Sequence, residues 1–191
     1  MSDKKLSLAV LISLAVFIFF CLIGAFTIAQ NEEIAEPLII SLREEMFVFV
    51  MDENPAVLSF KLFLNNLEAA VLLFIGGATF GLVTMFVLMT NGIIIGFVIS
   101  YASEEKGILP IMASIIPHGI MEIPAFLIAA GLGLLLSVSL WDEFRGQGDA
   151  ASDAKALAHK FIVLVIPLLA FAAITEAFIT PQIIDLILQG V

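Results

Sequence analysis

The sequence predicts an all-α, polytopic membrane fold with about five transmembrane helices and a short or broken central segment. Of the 191 residues, 61% are apolar and only 14% are charged. Mean hydropathy is +1.14, far above that of a soluble domain. The charges also gather in a few intervals that separate apolar runs able to cross a hydrocarbon core of roughly 30 Å. A net charge of −10 excludes a nucleic-acid binder, which needs a basic surface to meet phosphates. The single cysteine, Cys21, rules out an intrachain disulfide and reads as a packing or lipid-facing residue.

The first span, residues 6–29, is uncharged, follows Lys4 and Lys5, and is too long for the core of a removable signal peptide. Residues 30–66 form an acidic extramembrane segment in which Pro37–Met51 is apolar enough for a short helix on the membrane surface. The next span is 67–90, closed by a break at Asn91-Gly92. Residues 92–107 make a short third crossing, and 108–117 a short or re-entrant segment ending at Pro117. Full spans follow at 119–141, with Trp141 as an interfacial anchor, and at 161–180, closed by Pro181. Lys4, Lys5, Arg145, Lys155 and Lys160 put the N-terminus and the 142–160 loop in the cytoplasm by the positive-inside rule. That parity requires five crossings of the cell membrane. A four-pass chain with a re-entrant hairpin over 93–116 is the alternative.

Ionisable groups within such spans are expensive and are usually paired and functional. His118 and Glu122 are four residues apart, hence on one helix face, about 6 Å apart along the axis. Glu122 stands five residues after Pro117, and Glu176 stands five before Pro181 on the next, antiparallel span, so the two share a depth. Asn65, Asn66 and Glu68 open the second span on the same side. A polar cluster of His118, Glu122, Glu176, Glu68, Asn65 and Asn66 is therefore expected near the outer boundary. It could relay protons, bind an ion, or only fix helix ends by hydrogen bonding. His118, Glu122 and Glu176 are the candidate ligands for a divalent metal such as zinc, which accepts imidazole nitrogen and carboxylate oxygen; no other cofactor is indicated. The cluster lacks the second histidine of HExxH, which disfavours a zinc protease.

Gly77 with Gly81, and Gly92 with Gly96, have the small-xxx-small spacing that lets helices approach closely. Internal packing is the simpler use and a homodimer the sharper one.

Taken together, Asn65-Asn66-Leu67, Gly76-Gly77-x3-Gly81, Asn91-Gly92-x3-Gly96, Pro117-His118-Gly119-x2-Glu122 with Pro124-Ala125, and Glu176 with Ile179-Thr180-Pro181 resemble the stage II sporulation protein M family over nearly the whole chain. The resemblance implies a polytopic, usually five-pass, membrane protein. In spore formers such proteins act in engulfment, anchoring peptidoglycan hydrolases that remodel the septal wall. Asn65, Asn91, Gly92, His118, Gly119, Glu122 and Glu176 match the family motifs. The expected role is a membrane scaffold or anchor for other membrane or cell-envelope proteins in the lipid bilayer, with no enzymatic activity. The alternative is an ion- or proton-coupled transporter, or an intramembrane divalent-metal protein, using His118, Glu122 and Glu176. An intramembrane hydrolase ranks third.

Overall fold

A computed structural model describes residues 3–29, 54–106 and 108–189, with 31, 33, 37, 38 and 40 as isolated positions. The acidic stretch before residue 54 and the surface helix expected at Pro37–Met51 thus lie outside the described residues, apart from those positions. Among the described residues, five helices are long and apolar enough to cross a membrane. They are α1 (Asp3–Ala29), α2 (Pro55–Ile75, extended by a 3-10 turn, Gly76–Thr79), α3 (Leu82–Lys106), α4 (Ile108–Phe144) and a last helix in three parts. Those parts are α5 (Ala150–Lys160), α6 (Ile166–Ile174) and α7 (Thr180–Gln189), joined by wider turns at Phe161–Val165 and Thr175–Ile179. No strand occurs among the described residues.

The helix directions follow from the glycine contacts. Gly92 lies against Phe17 and Gly96 against Cys21, four residues further on along both helices, so α1 and α3 run parallel. Gly77 lies against Gly133, and Asn66 hydrogen-bonds Glu122, the same offset along both helices, so α2 and α4 are also parallel. These glycines are used inside the bundle, where missing Cβ atoms let backbones touch in the absence of a hydrophobic force between helices. The central helix is α4, which packs against α1, α2, α3 and every part of the last helix. Its most apolar window is 61% buried, against 17–33% in the other spans. Ala125, Ala129, Ala130 and Leu132 on α4 meet Leu73 of α2, Leu88 of α3 and Leu169 of α6 in the core.

Four expected boundaries are corrected. The second span begins at Pro55, not at residue 67, because Asn54 caps it: its Oδ1 accepts from the Ala56 N–H at 2.9 Å, and Pro55 opens the first turn. Asn91-Gly92 is no break but lies inside α3, where the Asn91 side chain donates to the Val87 carbonyl at 2.8 Å and Gly92 is buried against α1. The chain turns instead at Phe80-Gly81, both with positive φ (53° and 83°), a conformation that glycine adopts freely. Side chains satisfy this turn: Thr79 Oγ1 donates to the Gly76 carbonyl (2.7 Å) and accepts from the Val83 N–H (3.0 Å). Thr84 Oγ1 donates to Leu73 (2.8 Å), and Ser137 Oγ donates to Gly77 (3.1 Å). Backbone polar groups at membrane depth need such internal partners.

The third correction concerns residues 108–117, which form neither a separate nor a re-entrant segment. They are the start of α4, with Pro117 and Pro124 both inside one helix. Proline within a membrane helix is tolerated where neighbouring helices cover the freed carbonyls. The fourth concerns the last span, expected at 161–180 and closed by Pro181: it runs from Ala150 to Ile184, and Pro181 lies inside a helix that continues to Gln189. Pro167 and Pro181 each follow a wide turn whose i→i+5 bonds run from the Ile166 N–H to Phe161 and from the Thr180 N–H to Thr175. Each ring would press on the carbonyl four residues back, at Val163 and Ala177, and the wider turn relieves that clash.

Phe80 and Trp141 meet edge to face, with ring centroids 6.2 Å apart, and Trp141 stacks on Phe144, so the α2–α3 turn and the C-terminal end of α4 share one end of the bundle. Arg145 follows at that end, and the N-terminus of α1 points to it because Val10 packs on Gly131. The positive-inside rule gives the expectation that this end faces the cytoplasm. Reporter fusions are expected to be external between residues 31 and 54 and cytoplasmic between 146 and 152. Both reporters on one side would defeat this topology.

Candidate functional site

The site lies in the half of the bundle away from the aromatic end. His118 and Glu122 stand ten and fourteen residues after Ile108, where α4 begins, about 15 and 21 Å along the helix. One helical turn separates them, so both side chains leave α4 on one face. Glu176 comes from the wide turn Thr175–Ile179 of the last helix. Widened turns are frequent at functional sites because the extra residue re-aims a side chain. Here His118, Glu122 and Glu176 each offer a donor atom, and the three atoms lie within 4.8 Å of one another. All three residues are half-buried.

Asn66 completes the group from α2. It is 8% exposed and its amide hydrogen-bonds the Glu122 carboxylate. The other two residues expected from α2 are not brought in: Asn65 and Glu68 are exposed. At 100° per residue, Asn65 stands a quarter turn and Glu68 more than half a turn from Asn66, so only one of the three can face α4. Asn91 lies elsewhere, on its own helix backbone, and Gly119 is buried beside His118. His118 is close enough to Glu176 to interact with it electrostatically. Its Nδ1 is fully buried yet has no hydrogen-bond partner. A buried polar atom without a partner points to a missing ligand or water, because leaving it unmade costs about 1–3 kcal/mol.

One contributor was absent from the sequence reading. A cavity of about 180 Å³ lies between α3 and α4, and His118 and Glu122 form its polar end while Ile94, Ile95 and Val98 of α3 supply wall. A signal for it exists: α3 and α4 are antiparallel about residue 107, so a residue eleven after it, His118, returns to the level of one eleven before it, Gly96.

Comparison with known proteins gives the family. A family model described as Stage II sporulation protein M matches residues 13–181. The chain belongs to that family. Two uncharacterized proteins of Methanocaldococcus jannaschii are similar to it: one is 34% identical over 122 residues, covering 62% of this chain and 68% of the relative. The other is 27% identical over 184 residues, covering 93% and 78%. No solved structure matches. The family match runs from within α1 to Pro181, so it includes Asn66, His118, Glu122 and Glu176.

Proposed function

We propose that this member of the family binds one divalent transition cation inside the membrane, near the external face, through His118, Glu122 and Glu176. The observation that carries the reading is the convergence of these three donors, from two helices, within 4.8 Å. A zinc ion holds nitrogen and oxygen donors at about 2.0–2.2 Å, which sets tetrahedral neighbours roughly 3.4 Å apart. The donors therefore need to close by at most about 1.4 Å, within reach of side-chain rotation. One imidazole with two carboxylates is a hard-to-borderline set suited to zinc or manganese. The Asn66 amide would orient Glu122 as outer partners orient metal ligands. A cation also answers the main liability of the site, two carboxylates among hydrocarbon.

Elemental analysis of the purified chain, washed free of loosely bound metal, is expected to find one divalent ion per chain. Glu122→Gln and Glu176→Gln, which preserve shape, should each lower occupancy at least tenfold at limiting zinc, about 1.4 kcal/mol. Full occupancy in the double variant would sink the assignment.

Anchoring of partner proteins is the second reading. It is favoured by the low burial of four of the five spans, 17–33%, which leaves wide apolar flanks open to lipid or other helices. Partner capture that survives loss of the cation would favour the anchor alone.

A further inference from the structure

The cavity between α3 and α4 is matched to a ligand with two different ends. Ile94, Ile95, Val98 and Ile123 give it hydrocarbon walls, and its polar end is His118 with Glu122. Its volume, about 180 Å³, is slightly more than that of apolar protein cavities of about 150 Å³ that stay dry and accept a benzene-sized guest. A path for hydrated ions would need polar lining, which these walls lack. Ile94 lines the cavity and is 38% exposed, so the cavity reaches the surface of the bundle, where hydrocarbon can enter.

The polar end decides what head the guest carries. Three protein donors leave a divalent cation at least one exchangeable position, as in sites that bind water or substrate. His118 and Glu122 belong to both the donor cluster and the cavity, so the cavity opens on the cluster. Two carboxylates and a divalent cation sum to zero charge. A further anion would leave net charge in a low-dielectric site, whereas a neutral oxygen would not.

We infer that this cavity binds a neutral-headed amphiphile, an alcohol or carbonyl compound on a short hydrocarbon body, with its oxygen towards the cation and its chain against the isoleucine wall. The inference rests on the cation reading above. Water fills the oxygen position when the amphiphile is absent.

Cobalt-loaded full-length protein in lipid nanodiscs provides the test, because the visible absorption of Co²⁺ responds to a change of ligand. Titration with 1-octanol should change the spectrum saturably, and octanoate should act at least about tenfold more weakly. Ile95→Phe, which fills the cavity, should keep the cobalt and weaken the octanol response about tenfold or more. If that variant fails to fold, Val98→Leu adds one methylene group to the same wall and should weaken the response in the same direction. No cobalt absorption in the wild type would overturn the cation site, and this inference with it. Normal cobalt absorption with no octanol response, with octanoate equal to octanol, or with a response indifferent to the wall variant that folds, would overturn the inference alone.

Discussion

Gly96→Val is expected to remove most of the folded protein, with the largest stability loss of any single apolar substitution in the bundle. A Cβ at Gly96 would run into the Cys21 carbonyl, and its next neighbours are backbone atoms of the same residue. Backbone cannot swing aside as a side-chain tip can, so α1 and α3 must separate along their whole contact. Overpacking in cores commonly costs about 1–3 kcal/mol when side chains can yield. Here nothing yields, and the loss should exceed that range. Gly24 faces the Ile93 carbonyl in the same interface, and the added bulk cannot be relieved by sliding the pair past each other. Gly133→Val should behave alike, since its Cβ would meet the Leu73 carbonyl and come within 2.8 Å of Thr84 Oγ1, breaking the tie between α2 and α3. Gly148→Ala is the control. Its nearest neighbour is the Asp142 Cβ at 3.6 Å, an ordinary contact, so folded yield and melting temperature should hardly move. Size-exclusion yield and thermal midpoint measured in one detergent decide it. A Gly96→Val protein that is monodisperse and melts like the wild type would show that the α1–α3 contact is not what holds these helices.

How much of this could be read from the sequence depends on whether charge or shape decides the feature. Hydrocarbon does not tolerate stray charge, so the polar intervals give the number of crossings, and equal counts from Pro117 and Pro181 bring Glu122 and Glu176 together although both prolines lie inside helices and mark no span end. That matching needs only residue counting and a known direction of travel. Rotation about a helix axis is different. Asn65, Asn66 and Glu68 are equivalent in composition, and choosing Asn66 requires knowing which face of α2 meets α4. That face is set by Gly77 seating on Gly133, eleven residues further along both helices. The break expected at Asn91-Gly92 failed for a related reason. Glycine signals either a bend or a close approach, and inside a membrane the helix keeps its hydrogen bonds, so close approach to α1 prevails. The true turn at Phe80-Gly81 was masked because Phe80 carries no turn signal of its own and is held in the left-handed region by its surroundings. The widened turn that carries Glu176 follows from Pro181, but proline alone does not say whether a helix kinks, ends or widens.

Removing the cation should destabilise the wild type and leave the Glu122→Gln/Glu176→Gln double variant unmoved, with the two stability curves crossing. In the wild type, two carboxylate groups and an imidazole are lodged among helices with apolar flanks, their donor atoms within 4.8 Å. A divalent ion bound there would offset their desolvation. Binding to the folded state alone stabilises by about 2.7 kcal/mol at a hundred times the dissociation constant, so chelation withdraws at least that much. In the double variant the two amides keep nearly the same volume and carry no charge. The ion then has one good ligand, and adding or chelating metal should change the melting temperature negligibly. The apo proteins should order the other way round. Replacing buried ionic groups by neutral ones of similar shape is often stabilising by about 1–4 kcal/mol, so the metal-free double variant should melt above the metal-free wild type. Asn66 sets a check on this account: its amide can donate to the Glu122 carboxylate and equally accept from or donate to a glutamine there, so it does not become an unpaired group in the variant. Differential scanning of both proteins with a chelator and with excess zinc gives the four values needed. A cluster that only ties helix ends together predicts a different pattern, in which zinc moves neither protein and the double variant is the less stable of the two under both conditions.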